Sequence, residues 1–458
     1  MDLLVRGGTV VREAGTEPAD VLIKEGRIFA FGRDLPEPYG IKVVDASGML
    51  VLPGVIDVHT HFHMKSARGY TTADDFFQGS VSAAFGGVTT VIDFADAPLP
   101  GQTLLDCMKE RKAQADRELI SDYTLHAVVT QFGEQEAKDM PALMAAGITN
   151  CKIFTTYDTL KLEDEDLSRL LKFAGQTGLL VIVHAEDDRM VQEAQLALKN
   201  QGRTEPRYHG ASRPVGAELS AINRVIAEAK TAGCLLYIVH VSSGSGAQAI
   251  ALARRAGQRV MGEACPHYLL LTEDLYQAPD AQKYIMSPPL RTKEDNLLLW
   301  RALAAEELQT AATDHCSYTW EQKIKANTCF DTPPGIPGVE TLLPLLYSEG
   351  VGKGRITLDQ LVKFLAGNPA RIFGIYPQKG TLAPGSDGDL VIFDPEKEAV
   401  LTGSSLHSAA GYTPFEGWKV KGYPRVTVLR GQVVCQDGEL VAQKGIGRFL
   451  PAGLGRFV

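Results

Sequence analysis

The sequence predicts an α/β protein: a (β/α)8 barrel of the TIM type with a small β-sandwich domain built from both chain termini. Three observations predict it. Between Val51 and His315, short apolar runs alternate with helix-like stretches, the pattern of a barrel or a doubly wound sheet. Residues able to bind metal stand at the ends of several of these runs, where a barrel of this type builds its site. Both flanks lack the helical period and read as short strands broken by Gly. At 458 residues the chain exceeds one ordinary domain and leaves room for a smaller second unit.

The barrel strands are expected, in order, in VLPGVIDV, VTTVIDF, DYTLHAVV, ITNCKIF, LLVIVH, LLYIVH, QRVMGEA and LQTAATD. Between them, DDFFQGSVSAAFGG, LEDEDLSRLLKFAGQTG and AELSAINRVIAEAKTAG space their apolar residues by three and four and close on Gly, a C-terminal stop. The metal-binding candidates fall on the first, fourth, fifth, sixth and eighth strands. They converge only if the sheet closes, which selects the barrel over the open sheet. The stretch from Asp314 to Ile375 is expected to be helical and to cap the barrel. Residues 2–50 and the tail segments DLVIFDP, VTVLRGQVV and GELVAQKG carry strands with Gly and Asp-Gly turns, and neither end buries a face alone. The expected division is residues 1–53 and 385–458 for the two parts of the sandwich, and 54–384 for the barrel. Gly380–Asp389 is the loop leading back into the sandwich.

Composition narrows the function classes. Hydrophobic residues make up 45% and charged residues 22%, and 46 basic against 55 acidic residues give a net charge of -9. With no long basic run, nucleic acid is not an expected partner. The first residues turn polar and Gly-rich early, and no apolar stretch is long enough for a bilayer, so a cytoplasmic location without membrane contact is expected. Seven Cys are scattered with no C-x-x-C pair, as suits reduced thiols. Cys151 and Cys316 lie beside metal-ligand candidates and read as small neighbours of the site rather than nucleophiles.

The candidates themselves are His59 and His61 in VIDVHTH, Lys152 in ITNCKIF, His184 in LLVIVHAE, His240 in LLYIVHVS and Asp314 in TAATDH. Side chains two apart on a strand point the same way, so His59 and His61 can reach one ion. Lys152 needs a separate argument, because an ammonium has no lone pair to offer a metal. As a neutral amine it can take up carbon dioxide, and the resulting carbamate has two oxygens suited to bridging two ions. Spacing alone equally allows a lysine paired with a carboxylate.

With these residues the chain resembles the amidohydrolase superfamily, and within it the hydantoinase and dihydropyrimidinase group of cyclic amidohydrolases. The resemblance covers nearly the whole chain. It is carried by the ligand set and by MSPPLR (Met286–Arg291), ATDHC around Asp314, GIPGVE (Gly335–Glu340) and GTLAPGSDGDLVIFDP (Gly380–Pro395), in that order. It implies two divalent ions, usually zinc, bridged by N6-carboxylated Lys152 and a hydroxide. His59, His61, Lys152 and Asp314 would hold one ion; Lys152, His184 and His240 would hold the other. Such a pair lowers the pKa of its water enough to give a nucleophile at neutral pH, with Asp314 as catalytic proton shuttle. Tyr157 in KIFTTY stands where this group has an oxyanion-stabilising Tyr. The substrate implied is a cyclic ureide, a hydantoin or dihydropyrimidine, opened to the N-carbamoyl amino acid and read by main-chain groups at Ser287 and Pro334. Pro334 departs from the Asn common there, keeping the carbonyl and losing the N–H. The loop FHMKSARGYTTADD after His61 is polar where the group often carries bulky apolar side chains, which leaves the ring substituent and the preferred enantiomer open.

Two other readings follow from the same likeness. Within enzymes, an allantoinase or another cyclic imide or lactam hydrolase is the alternative. Allantoinases and dihydroorotases generally lack the Tyr at position 157, and His63 stands where dihydroorotases carry an Arg for a ring carboxylate. Some dihydropyrimidinase relatives are cytoskeletal scaffold proteins without the ligands, whereas all six are present here. The resemblance also suggests a homotetramer.

Overall fold

The computed structural model describes residues 2–66 and 69–458. Eight parallel strands follow one another around a barrel: β6 (Val55–Thr60), β7 (Val88–Phe94), β8 (Asp122–Val128), β9 (Asn150–Phe154), β10 (Leu180–His184), β11 (Leu235–Ile238), β12 (Val260–Ala264) and β13 (Thr310–Ala311). The circle closes beyond the end of β13, where Thr60 and His315 form a parallel bridge. The His61 N–H donates to the His315 carbonyl at 2.8 Å, and the His315 N–H to the His59 carbonyl at 3.2 Å. Alternation sorts the side chains of each strand. Cys151 and Ile153 of β9, with Val181 and Val183 of β10, enter the core shared with the surrounding helices. Lys152 and His184 occupy the opposite parity and are directed to the barrel axis.

The three helical stretches read from the sequence form helices at Phe76–Phe85, Asp164–Thr177 and Val215–Ala232. Gly178 and Gly233 close the last two in the left-handed region, at φ 79° and 68°, where a Cβ would be strained. The first expected run, VLPGVIDV, serves two sheets. Its start is β5 (Leu50–Pro53), and only its end is β6, with Gly54 between them. A Cβ on Gly54 would lie 2.1 Å from the Thr89 hydroxyl, so only glycine lets the chain pass so close to β7 at this crossing.

β5 belongs to a mixed nine-stranded sheet drawn from both termini. Its other strands are β1 (Leu3–Arg12), β2 (Gly15–Lys24), β3 (Arg27–Gly32), β4 (Lys42–Asp45), β14 (Leu390–Leu401), β15 (Trp418–Leu429), β16 (Gln432–Gln436) and β17 (Glu439–Leu440). The antiparallel contact of β14 with β5 joins the two ends of the chain. Strands from both termini share one apolar core, including Leu3, Val21, Val51, Ile392 and Val428. Glu25-Gly26, Arg430-Gly431 and Asp437-Gly438 turn its hairpins with both residues at positive φ, the two-residue geometry that matches strand twist.

From Asp314 to Ile375 the chain is mostly helical, as expected, with helices at Trp320–Lys325, Leu342–Leu345, Leu358–Val362 and Asn368–Ile372. Residues 441–458 run back across the barrel, where the Leu450 N–H donates to the Tyr123 carbonyl and the Ala452 N–H to that of Gly147. No helix among the described residues is long and apolar enough to cross a membrane.

One buried cation ties the barrel to the terminal sheet. Lys379 Nζ lies 2.6 Å from Asp122 at the start of β8, and 3.1 and 2.6 Å from Asp387 and Asp389, which lead into β14. Lys379→Met would leave these buried carboxylates without their shared partner. It is expected to lose about 3–5 kcal/mol, read by chemical denaturation. An unchanged midpoint would show that the junction is held by Arg430, which also pairs with Asp122, and by apolar packing instead.

Candidate active site

The strand ends bring the six expected ligands to one end of the barrel. His59 is the fifth residue of β6 and His61 follows that strand; Lys152 lies in β9, His184 ends β10, and His240 and Asp314 lie just beyond β11 and β13. His59 Nε2 and His61 Nε2 stand 3.0 and 3.2 Å from one oxygen of Asp314. His184 Nδ1 faces His240 Nε2 at 2.9 Å, and the His59 and His240 rings are 5.4 Å apart. Donor atoms of His59, His240 and Asp314 all lie within 4.8 Å of one another, close enough for one ion. His240 and Asp314 hold this geometry at φ 39° and 50°, in the left-handed region. Such backbone costs about 1–2 kcal/mol per residue and is found where a site requires it.

The far side of two of the histidines, His59 and His184, is held by a carboxylate that the sequence reading did not single out. Glu263 accepts from His59 Nδ1 at 2.7 Å and from the His240 N–H at 2.9 Å. Glu186 bonds His184 Nε2 at 2.7 Å and is itself held by Arg213 at 3.0 Å. These bonds orient the rings so that His59 Nε2 and His184 Nδ1 face the centre, the usual support of a metal-binding imidazole. The signal was a carboxylate inside an apolar strand, MGEA, and an H-x-E after β10. It was faint because Glu263 meets His59 only through the fold.

Electrostatics agree with a site built for positive charge. Burial opposes a charge on His59, yet the Glu263 and Asp314 carboxylates outweigh it and push its pKa up to about 9. Asp314 sits well below the usual carboxylate range: burial raises it, and His59 and His61 more than reverse this. Burial drives His61 down, and drives His240 well down with help from His184 and Lys152, which leaves neutral imidazole donors. Lys152 is 1% exposed. Burial pushes its amine down to about 8, against the pull of Asp314 and Glu263. Its nitrogen lies 5.0 and 5.1 Å from the ring centres of Phe94 and Phe154 and makes no ion pair with a described residue. The alternative of a salt-bridged strand-end lysine therefore has no partner carboxylate here. Buried His61 Nδ1 and His240 Nδ1 also lack hydrogen-bond partners among the described residues. This donor set fits divalent metal.

Tyr157, at φ 80°, lies beside the cluster with its ring 5.1 Å from that of His184. The Arg213 guanidinium packs 4.9 Å from the Tyr157 ring centre. Burial raises the phenol's pKa, partly opposed by Arg213, with the Ser287 hydroxyl also in reach. Ser287 and Pro334 belong to two segments that touch: the Gly335 N–H donates to the Ile285 carbonyl at 3.0 Å. In the first segment the Met286 carbonyl is taken by His209 Nε2 at 2.7 Å and the Pro288 carbonyl by the Tyr268 hydroxyl. Among the described residues, no main-chain bond engages the Ser287 N–H or carbonyl, or the carbonyl of Pro334. His63 stands at φ 49°, its carbonyl held by Arg111. The loop after His61 is tied back by the Ala73 N–H to the Ser317 carbonyl at 2.7 Å, and its two residues 67 and 68 lie outside the described residues.

Comparison with known proteins agrees with this geometry. Residues 50–434 match the model of the amidohydrolase family. The chain is 38% identical over 456 residues to a D-hydantoinase of Geobacillus stearothermophilus, covering 98% of this chain and 96% of that protein. It is also 38% identical over 453 residues to a D-phenylhydantoinase of Escherichia coli, covering 98% of each. The crystal structure of a dihydropyrimidinase from Brevibacillus agri superposes with a TM-score of 0.96 at 36% identity, covering 100% of both chains. The barrel, its ligand-bearing strand ends and these full-length matches together place the chain in the amidohydrolase family, in the group of hydantoinases and dihydropyrimidinases.

Proposed function

We propose that this protein opens uncharged five- or six-membered cyclic ureides, hydantoins and dihydropyrimidines, to N-carbamoyl amino acids. It would use two divalent ions, zinc in the first instance. His59, His61, N6-carboxylated Lys152 and Asp314 would hold one, and Lys152, His184 and His240 the other. The observation that carries the reading is the convergence of these six side chains, with Glu263 and Glu186 fixing the imidazoles and a buried, unpaired Lys152 between the two halves. Two bound ions would supply a water ionised at neutral pH and polarise the ring carbonyl.

The protein's own groups then divide the work. Ring opening adds the elements of water across the amide: oxygen to the carbonyl carbon, hydrogen to the departing nitrogen. Asp314 is the carboxylate at the centre of the cluster and is positioned to take a proton and return it to that nitrogen. The Tyr157 phenol keeps its proton, because burial raises its pKa, and can donate to the carbonyl oxygen as negative charge develops there. The free main-chain groups at Ser287 and the Pro334 carbonyl suit the alternating N–H and C=O edge of a ureide. Arg213, the guanidinium nearest Tyr157, is committed to Glu186, and position 63 is His, so no cation is offered to a ring carboxylate at either place. The family resemblance extends the proposal to a homotetramer.

Tyr157→Phe is expected to lower kcat by roughly 100-fold, the effect of losing one oxyanion donor. A change confined to KM would make Tyr157 a binding residue instead. The substrate assignment is tested by following ring opening of dihydrouracil, hydantoin, phenylhydantoin, allantoin and dihydroorotate with zinc-loaded enzyme. The first three are expected to dominate. Faster turnover of allantoin or dihydroorotate would overturn the substrate reading and leave the metal site standing.

A further inference from the structure

Lys323 lies in the short helix Trp320–Lys325 and has no access to solvent. Its ammonium meets three main-chain carbonyls and no described carboxylate: Ile285 at 2.8 Å, Pro333 at 2.9 Å and Gly335 at 2.9 Å. An ammonium has three N–H groups, so its donors are fully used. Burial without an acid partner is costly and pushes this amine down to about 7, whereas an apolar side chain of the same length would fill the space without that cost.

The three acceptors show what the charge accomplishes. Pro333 and Gly335 flank Pro334, so the carbonyls on either side of that residue are turned toward Lys323 while its own is left free. Ile285 stands two residues before Ser287. Gly335 is shaped for the same purpose, because its φ of 148° admits no ordinary side chain and a Cβ there would lie 2.4 Å from the Cys316 carbonyl. With His209 and Tyr268 holding the carbonyls on either side of Ser287, the two free recognition points sit on segments pinned to one nitrogen.

We propose that Lys323 is a positioning residue that sets the spacing and direction of the Ser287 and Pro334 main chains, and so the fit of the ring's amide edge. This rests on the substrate reading above. Its consequence is specific: loss of the clamp loosens substrate binding before it affects the metal cluster, because none of the three acceptors belongs to a ligand-bearing strand end.

The test compares Lys323→Met and Lys323→Arg with the wild type, each at matched metal content. Lys323→Met is expected to raise KM for dihydrouracil at least about tenfold, the worth of one lost hydrogen bond, with kcat held within about threefold. Lys323→Arg, which keeps a cation with several donors, is expected to fall between them. Hydrogen exchange in Lys323→Met is expected to quicken in residues 284–290 and 332–336. An unchanged KM with unchanged exchange overturns the proposal. So does a parallel fall of kcat, metal content and Tm, which would mark a purely structural lysine. If Lys323→Met is not recovered folded, exchange in the wild type decides. Saturating 5-substituted hydantoin is expected to slow both segments together, and protection of only one contradicts the clamp. A wild type that opens no ring ureide would defeat the substrate reading, while exchange in the ligand-free variant still reports on the clamp.

Discussion

Closure of the eight-stranded sheet is the constraint on which the rest of the structure depends. Two main-chain hydrogen bonds, between His61 and His315 and between His315 and His59, join the first strand end to the last. The residues that close the barrel are therefore the ligands themselves or their immediate neighbours. Without closure, Asp314 could not share one oxygen between His59 and His61, and Glu263 could not reach His59 across 204 positions of sequence. The His315 side chain continues the same function. It bonds Asp74 at 2.9 Å and accepts from the Gly338 and Val339 N–H groups, which ties the GIPGVE segment to the site.

Around that closure, each reactive group is set by a neighbour that does not itself react. Carboxylates orient the His59 and His184 imidazoles, and Arg213 holds one of those carboxylates while packing on Tyr157. Burial does two different things in the same cavity. It disfavours the ammonium of Lys152, which raises the share of neutral amine, and it keeps the Tyr157 phenol protonated, which preserves a donor. Low dielectric surroundings also strengthen every charge interaction the two groups make.

Much of this was legible in the sequence, for identifiable reasons. Barrel strands that are buried on both faces read as continuous apolar runs, and a polar residue at their ends stands out, so His59, Lys152, His184 and His240 were visible. The eighth strand was harder. Only Thr310–Ala311 pairs regularly, and the closure is made by residues beyond it. The split of VLPGVIDV between two sheets was not visible, because periodicity does not show where a continuous apolar run changes partner. Glu263 and Glu186 were missed since a carboxylate's role as support depends on which histidine the fold brings to it. Lys323 has no sequence signature at all, because its partners are backbone carbonyls. Ser287 and Pro334 came from family resemblance; among the described residues the carbonyls beside them are occupied and theirs make no main-chain bond.

The central claim is that Lys152, through its carbamate, joins two ions into one site. The most direct measurement is metal content per chain, by elemental analysis after dialysis, in the wild type and in Lys152→Ala, with folding of both confirmed by circular dichroism. The account predicts two ions per wild-type chain and loss of both from a folded Lys152→Ala protein. A folded variant that retains two ions, or a fully active wild type that carries none, would contradict it.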